Sequence, residues 1–410
     1  MPPRSILMIP GPVEVSPRVL EAFSVPPPGH TSPTLIAAFG EALERLRRVW
    51  SAEPASQPFV VGGGGTAAMD MAVANLVAPG DRVAVVKTGY FSDRMAEMLR
   101  RQGAATLEVG AEPGDAPSLD AVREALARDR AAGPRTALFA THVDTSTGVR
   151  IDPGPFARLA REHGMLAVVD GVCAAGGERC EMADWDLDVY LTASQKALGL
   201  PPGLALMVAS PRALAVRRER RAAPPAMYLD WEAWLPVLRA YEERRAAYFS
   251  TPPTNLVLAL AAALAEIESE GTAARVARHE EAARALRAAW RALGLRLLPV
   301  RDELAANTLS ALCLPAAAAA AADAPAVVAR IAAHGVTVAT GLLSELKGSY
   351  FRVGHMGWVV GRPELLRRTV AAVAAGLRES GLGAGDDGER LALAALDGLA
   401  VGAEPATARS

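Results

Sequence analysis

Lys196 stands in a segment whose residue types could do chemistry on a carbonyl group. The segment LTASQKALGLPPG, residues 191–203, brings Lys196 after a run of apolar and small residues and just before a turn rich in glycine and proline. A lysine confined in a partly apolar site has a lowered pKa and becomes a nucleophile toward carbonyl carbons. The chain has three lysines against forty arginines, so an ordinary surface lysine is the less favoured interpretation at this position.

A run of glycines, Gly62 to Gly65, followed by Thr66, could bind a phosphate. The run comes after an apolar segment and before a helical pattern. Glycines let the backbone approach an anion closely, and a helix N-terminus supplies unpaired N–H groups and the positive end of a dipole. The run matches neither GxGxxG nor GxxxxGKS/T, which argues against a dinucleotide site and a P-loop. A turn without any ligand is the alternative interpretation.

Asp170, in the segment LAVVDGV, places a carboxylate at the end of a buried apolar strand. Removing a carboxylate from water is costly unless it meets a positive partner. The functional interpretation is a partner for a protonated ring nitrogen. The alternative is a helix cap or a loop aspartate.

These three segments are positioned by an alternation of short apolar runs and longer amphipathic ones, which begins near residue 57. Strand-like runs such as QPFVV, TALFATHV and MLAVVDGV alternate with helical patterns such as TAAMDMAVANLV and FARLAREHG. The alternation predicts βαβ units around a mainly parallel sheet flanked by helices. Because ligands collect at the carboxyl ends of strands in such sheets, we expect Gly64, Asp170 and Lys196 to face one ligand.

One cofactor satisfies all three positions at once. Pyridoxal phosphate offers an aldehyde to an amine, a pyridine nitrogen to a carboxylate and a phosphate to a helix N-terminus. In this interpretation Asp170 keeps the ring nitrogen protonated. Lys196, once displaced by an amino substrate, moves a proton between that substrate and the cofactor.

The pattern divides the chain into four regions. Residues 1–20 are expected to form an N-terminal arm, residues 21–265 a large cofactor-binding domain, residues 266–380 a smaller C-terminal α/β domain, and residues 381–410 a tail with a possible short helix. The alanine-rich tract at 315–325 is interpreted as a permissive loop or helix start. The expected fold class is therefore α/β.

The composition argues against several classes of protein. Lys plus Arg at 43 nearly balance Asp plus Glu at 45, so no global charge would gather nucleic acid or an anionic membrane. Apolar runs fall short of the roughly 20 residues that span a bilayer, and the N-terminal run is too short for a signal peptide. Three cysteines without CxxC spacing fit a reducing compartment. We expect a cytoplasmic protein with no nucleic-acid, membrane or metal partner.

Several separated motifs resemble the class V aminotransferases of fold type I, specifically the alanine–glyoxylate and serine–glyoxylate (serine–pyruvate) aminotransferase group. The similarity runs from PGPVEVSPRVL near the N-terminus to YFRVGHMG, nearly the whole chain except the tail. GGGGTAAMD resembles the family's phosphate loop, which implies that Gly64, Gly65 and Thr66 contact the cofactor phosphate. SQK implies that Gln195 also contacts the phosphate and that Lys196 binds the aldehyde.

The resemblance implies further contacts to the cofactor ring. TGYFSDR places Phe91 on the pyridine ring, where relatives usually carry tryptophan, so a weaker stack is implied. THVDTSTGV places Thr145 near the phenolic oxygen. VVDGVCAAGG places Asp170 and Val172 below the ring.

The resemblance also implies a homodimer with shared sites and an arginine that binds carboxylates. AAYFSTPPTN would bring Tyr248 and Thr251 to the phosphate of the neighbouring subunit's cofactor. In YFRVGHMG, Arg352 would bind the substrate carboxylate through its planar guanidinium, and the backbone around Gly11 would approach the same carboxylate. The alternative for Arg352 is a surface arginine at a strand end.

Four further residues receive no role. His30 and His355 have no assigned function, and Cys173 is interpreted as a small buried core residue. Cys313 lies in LSALCLP, which reads as a buried strand rather than the mobile loop that a cysteine desulfurase would need.

The predicted activity is the transfer of an amino group from alanine or serine to glyoxylate or pyruvate by a ping-pong mechanism. Within the same fold, the donor could instead be ureidoglycine, aminoethylphosphonate or pyridoxamine. From a different class, the chain could be a cofactor-binding protein without catalysis.

Overall fold

The structure, a computed structural model, describes residues 4–220, 222–315, 323–383 and 385–402. Its strands are β1 (Ile6–Leu7), β2 (Gln57–Gly62), β3 (Arg82–Val86), β4 (Ala105–Val109), β5 (Ala137–Thr141), β6 (Val143–Asp144), β7 (Val149–Arg150), β8 (Leu166–Asp170), β9 (Val189–Ala193), β10 (Leu204–Ala209), β11 (Arg296–Leu297), β12 (Leu309–Cys313), β13 (Val336–Thr337), β14 (Ala339–Thr340) and β15 (Tyr350–Gly354). Its α-helices are α1 (Pro17–Phe23), α2 (Pro33–Val49), α3 (Gly65–Leu76), α4 (Tyr90–Arg101), α5 (Leu119–Arg128), α6 (Pro153–Glu162), α7 (Pro211–Glu219), α8 (Trp231–Glu242), α9 (Thr254–Glu270), α10 (Thr272–Ala292), α11 (Ala324–Ala333), α12 (Pro363–Glu379) and α13 (Gly385–Ala394).

Seven strands form the central sheet, in the order β2-β10-β9-β8-β5-β3-β4. Within this sheet β10 runs antiparallel to its neighbours β2 and β9, and the other strands share one direction. Strands β5, β8 and β9 are buried along their whole length, as expected for strands covered by helices on both faces. The predicted α/β fold with a mainly parallel sheet is confirmed.

Helix α2 adds a layer outside the regular strand–helix alternation. It begins at Pro33, and the side chain of Ser32, its N-cap, accepts a hydrogen bond from the Leu35 N–H. Its apolar face packs against α8 and α9, and the ring of Phe39 lies 4.9 Å from that of Tyr241. The buried residues of α2 belong to the same apolar core as those of the central sheet.

A second, smaller sheet contains four antiparallel strands in the order β11-β12-β15-β14. The segment VTVATG supplies two short strands with different partners: β13 pairs with β1, and β14 pairs with β15. The Gly354 N–H also donates a hydrogen bond to the Met8 carbonyl oxygen at 2.6 Å. The N-terminal segment is thereby attached to the C-terminal part of the chain.

Two main apolar cores accompany the two larger sheets. One draws its buried residues from positions 19–267 and the other from Ile6, Met8 and positions 282–396. The tail contains α13, which packs on α10 and α12 and buries Ala392. The limits of the four regions expected from the sequence remain predictions.

The alanine-rich tract is only partly described by the structure. Within the alanine-rich tract, residues 316–322 lie outside the described part of the chain, and α11 begins at Ala324. Among the helices of the described residues, none is both long and apolar enough to cross a membrane.

Candidate active site

The carboxyl ends of β2, β8 and β9 lie at one edge of the central sheet, because these strands run in the same direction. The glycine turn follows β2, and Asp170 is the last residue of β8. Lys196 follows shortly after the end of β9. The structure therefore brings the three segments to the edge at which the strand order predicted a ligand.

Lys196 is buried, with 8% of its surface exposed. Its Nζ donates a hydrogen bond to the Pro10 carbonyl oxygen. Burial lowers the pKa of this amine. The charge of Arg352 lowers it further, against the opposite effects of Cys173 and Asp170. Within the described residues no carboxylate forms an ion pair with Nζ. Burial therefore favours the neutral amine, which is a nucleophile.

Asp170 is 2% exposed, and its Oδ1 accepts a hydrogen bond from the Val172 N–H at 2.8 Å. Burial raises the pKa of the carboxyl to about 7, although that hydrogen bond acts against the shift. The charge of Asp144 adds to the increase. No lysine or arginine within the described ranges forms an ion pair with Asp170. A buried carboxylate of this kind favours a cationic partner, and a protonated ring nitrogen is one.

The glycine turn leads directly into α3, which begins at Gly65 with Gly64 as its N-cap. Gly64 has no side chain that could accept from the first N–H groups of the helix, so these donors remain available to an anion. A Cβ at Gly65 would lie 2.9 Å from Val172 Cγ2, so a larger residue there would require Val172 to shift. This contact joins the glycine turn to the segment that follows Asp170.

Gln195 carries a buried side-chain oxygen, Oε1, that has no hydrogen-bond partner among the described residues. A buried polar atom without a partner is costly. Rotation of the amide can present either its oxygen or its nitrogen to a ligand. Together with the amine of Lys196, the carboxyl of Asp170 and the free N–H groups of α3, this amide fits the aldehyde, ring nitrogen and phosphate of pyridoxal phosphate.

Arg352 lies on β15 in the second sheet and is 7% exposed. Its Nε donates to the Thr340 carbonyl oxygen at 2.9 Å, and its Nη1 donates to the Thr145 carbonyl oxygen at 3.1 Å. Burial lowers the pKa of the guanidinium. No carboxylate in the described part of the chain pairs with it. Two carbonyl groups thus orient the guanidinium, while its charge is left for an anionic ligand.

Phe91 lies in the first turn of α4, whose N-terminus is bound by Asp144. Oδ2 of Asp144 accepts from the N–H groups of Phe91 at 3.1 Å and Ser92 at 3.2 Å. The Ser146 hydroxyl donates to Oδ1 of the same carboxylate at 2.6 Å. The sequence analysis did not single out Asp144. Its position just after the apolar run TALFATHV, like that of Asp170 in its own run, was a usable signal.

Tyr248 and Thr251 lie apart from this cluster. Tyr248 is 63% exposed, and its Oη lies 3.5 Å from Thr251 Oγ1. Its ring packs against His30 with 5.1 Å between the centroids. In the described part of the chain, these contacts of Tyr248 and Thr251 do not involve Lys196 or Asp170.

The remaining histidine and cysteines considered above are buried in the structure. His355 Nε2 lies 2.9 Å from Ser310 Oγ, and its Nδ1 lies 3.1 Å from the Asn307 carbonyl oxygen. Cys173 is buried, and Cys313 is buried on β12. These positions agree with a packing role for both cysteines, and the two hydrogen bonds give His355 a structural role.

Comparison with known proteins connects this geometry to a family. The family model described as aminotransferase class-V matches residues 29–342. Alanine–glyoxylate aminotransferase 1 of Saccharomyces cerevisiae is 35% identical over 364 residues, which are 86% of this chain and 91% of that protein. L-aspartate–glyoxylate aminotransferase of Paracoccus denitrificans is 33% identical over 354 residues, 86% of each chain.

A solved structure gives the same result for the fold. Alanine–glyoxylate aminotransferase from Nostoc sp. matches with a TM-score of 0.84 and 35% sequence identity, covering 92% of this chain and 96% of its own. The cofactor that the three strand ends predicted is the cofactor of this family. The chain therefore belongs to the class V aminotransferases and is a pyridoxal-phosphate-dependent transaminase of fold type I.

Proposed function

We propose that this transaminase moves the amino group of a small amino acid, alanine or serine, to a 2-oxo acid, glyoxylate or pyruvate, by a ping-pong mechanism. The observation that carries the proposal is the buried Arg352 guanidinium, which has no carboxylate partner among the described residues and acts on the pKa of Lys196. One guanidinium matches one carboxylate beside the reacting amine. The relatives in yeast and Nostoc that are named for alanine and glyoxylate support this choice.

The glycine turn would hold the cofactor phosphate. Gly64, Gly65 and Thr66 stand where the first N–H groups of α3 are free. The Thr66 hydroxyl and the Gln195 amide would add side-chain donors to these N–H groups. A dianionic phosphate is stabilised by such donors at the positive end of a helix dipole.

Four residues would hold the cofactor ring. Asp170 would accept a hydrogen bond from the protonated ring nitrogen, which supplies the cation that its burial calls for. Val172 would contact the ring from below, Phe91 would stack on the opposite face, and Thr145 would lie near the phenolic oxygen.

Lys196 would bind the aldehyde and then transfer the proton. When bound, pyridoxal phosphate supplies an electron sink for negative charge at the substrate's alpha carbon. Because burial lowers the pKa of Lys196, its neutral Nζ is favoured and can accept the alpha proton and return it. The hydrogen bond from Nζ to Pro10 orients the amine before the cofactor binds.

Arg352 would bind the substrate carboxylate and so orient the alpha carbon toward Lys196. Its hydrogen bonds to Thr340 and Thr145 fix the plane of the guanidinium in advance. The backbone around Gly11, which lies against Lys196, would approach the same carboxylate. A donor with a second carboxylate, such as aspartate, would need a second cation at this site.

Two copies of the chain would share their active sites. Tyr248 and Thr251 lie together on an exposed segment and would reach the cofactor phosphate of the neighbouring subunit. Light scattering that gives the mass of one chain would contradict this homodimer.

The free cysteines fit a cytoplasmic protein.

Attachment of the cofactor tests the site before any substrate is chosen. The full-length protein is loaded with pyridoxal phosphate and reduced with borohydride, and its peptides are analysed by mass spectrometry. The added mass is expected on the peptide that contains Lys196, and Lys196→Ala should abolish it. Lys87→Ala, which removes a lysine paired with Asp93 and Glu108, is the matched control and should leave it unchanged. Labelling of a different peptide would refute the assignment of Lys196 as the residue that binds the cofactor aldehyde.

A donor scan then tests the substrate class. Each amino acid is mixed with the loaded enzyme without an acceptor, and the change in cofactor absorbance is followed together with the 2-oxo acid formed. Alanine or serine should react, and glyoxylate or pyruvate should restore the first spectrum. If only one other compound responds, whether aspartate, ureidoglycine, aminoethylphosphonate or pyridoxamine, that compound is the amino donor instead of alanine or serine. No response to any amine would favour a cofactor-binding protein without catalysis.

A further inference from the structure

Arg94 connects the glycine turn to the start of α4. Its Nη1 donates to Thr66 Oγ1 at 3.1 Å, and its Nη2 donates to Tyr90 Oη at 3.1 Å. A guanidinium carries donors and no acceptor, so both hydroxyl oxygens accept, and each hydroxyl proton remains free to donate elsewhere. A hydroxyl that accepts from a cation is polarised and donates more strongly. The Thr66 hydroxyl is thereby prepared to donate to an anion at the glycine turn.

The same guanidinium lies over two aromatic rings. Its Cζ is 5.0 Å from the centroid of Tyr90 and 5.1 Å from the centroid of Phe91. The two rings meet edge to face, with centroids 5.3 Å apart and planes at 86°. Arginine is attracted to both ring faces by cation–π interaction. One side chain therefore fixes Phe91 relative to the glycine turn.

The charge of Arg94 is not neutralised by the acids beside it on α4. Asp93 pairs with Lys87 at 2.7 Å, and Glu97 pairs with Arg101 at 2.8 Å. No carboxylate of the described residues forms an ion pair with Arg94 itself. A positive charge is therefore left next to the N-terminus of α3, where it strengthens the attraction of an anion.

We propose that Arg94 is a positioning residue for the cofactor phosphate. Arg94 orients the Thr66 hydroxyl as a donor and adds a positive charge without an ion-pair partner near the glycine turn. It also fixes the position of the Phe91 ring relative to that turn. The inference rests on the proposed function, since it takes the glycine turn to be the phosphate site. The sequence analysis did not single out this arginine because its partner Thr66 lies on a different helix.

Two ligands that differ only in the phosphate test this role. Full-length protein stripped of cofactor is titrated with pyridoxal 5′-phosphate and with pyridoxal, and tryptophan fluorescence reports binding. Arg94→Gln should weaken binding of the phosphorylated ligand roughly 10- to 100-fold, the range for a charged hydrogen bond. It should weaken binding of pyridoxal much less, because pyridoxal loses only the fixed position of Phe91. Arg94→Lys keeps the charge without the planar fork and should lie between. Arg101→Gln removes a charge from the same helix and, as the matched control, should bind both ligands as wild type does.

Thr66→Val provides an independent variant, since it removes the hydroxyl and nearly preserves the shape of the side chain. It should weaken the phosphorylated ligand selectively, and Arg94→Gln should cost less in its background than alone. If Arg94→Gln does not fold, Arg94→Lys and Thr66→Val test the proposal in the same way. Each should lose more affinity for pyridoxal 5′-phosphate than for pyridoxal. Wild-type affinity in these variants, or equal losses for both ligands, would overturn the role at the phosphate. Failure of wild-type protein to attach the cofactor at Lys196 would instead overturn the proposed function.

Discussion

A Cβ atom at Gly11 would lie 2.6 Å from Cδ of Lys196 and 2.9 Å from the Gln195 carbonyl oxygen. The φ angle of Gly11 is +96°, a conformation that side chains with a Cβ rarely adopt. The neighbouring Pro10 carbonyl oxygen accepts the hydrogen bond from Lys196 Nζ. The N-terminal segment therefore forms one wall of the site and sets the direction of the amine.

Gly11→Ala should displace the Lys196 side chain. We expect kcat/KM to fall by about 100-fold, the cost of a small misplacement of a reacting group. Gly80→Ala is the matched control, because Gly80 has a φ of +89° and a Cβ there would have no atom within 4 Å. Both variants strain the backbone, but steady-state kinetics should show the large loss in Gly11→Ala alone. Equal losses would mean that backbone strain, rather than contact with the lysine, is responsible.

Asp170→Asn should lower kcat while preserving the local fold. The amide oxygen can still accept from the Val172 N–H, but it carries no charge to keep a ring nitrogen protonated. Removing one member of a buried charge pair predicts a loss of roughly 100- to 1,000-fold in kcat. Borohydride trapping should show that Lys196 still binds the cofactor. Asp93→Asn, at a surface ion pair, serves as the control, and a near-normal kcat in Asp170→Asn would contradict the role of the carboxylate.

Arg352→Lys should raise KM for the amino acid by roughly 10- to 100-fold, because an ammonium loses the planar fork that a carboxylate prefers. Comparing alanine with ethylamine, which lacks the carboxylate, isolates the effect. The wild-type preference for alanine should shrink in the variant. Arg296→Lys changes an exposed arginine on the second sheet and should leave KM as it is. An unchanged preference in Arg352→Lys would place carboxylate recognition elsewhere.

His355 should make the free energy of unfolding depend on pH. Burial lowers its pKa from 6.5 to about 3, so between these values the unfolded chain binds a proton that the folded chain does not. Stability from this group is therefore fully present above pH 6.5 and is lost as the pH falls toward 3, with a slope of up to about 1.4 kcal/mol per pH unit.

Urea unfolding at several pH values measures this slope. His355→Gln should flatten it over the range from 6.5 toward 3, even if the variant is less stable overall. His163→Gln, at an exposed position, is the control for removal of a histidine. A wild-type slope in His355→Gln would show that other groups, among them His142 with its pKa also lowered to about 3 by burial, account for the pH dependence.

Much of the site followed from local features of the sequence. Apolar runs and helical patterns predicted a mainly parallel sheet, and a parallel sheet places the ends of its strands at one edge. Gly64, Asp170 and Lys196 each come just after such a run, so their common edge needed no knowledge of tertiary contacts. The chemistry of an amine, a carboxylate and a helix N-terminus then indicated the cofactor.

Other contacts depended on segments that are distant in sequence. Pro10 and Gly11 lie against Lys196 because the N-terminal strand pairs with β13 of the C-terminal part. Asp144, which follows β5, binds the start of α4 at Phe91, and α4 follows the neighbouring strand β3. Periodicity describes which face of an element is buried, but it does not state which element covers that face.

The sequence by itself determined the fold class, the order in which reactive groups leave the sheet, and the cofactor that those groups suit. Only the tertiary structure decided the surroundings of each group: the carbonyl groups that orient Arg352 and the hydroxyl that Arg94 holds. The physical reason is that burial and hydrogen-bond partners arise from packing between distant segments, and these surroundings shift the pKa values of Lys196 and Asp170.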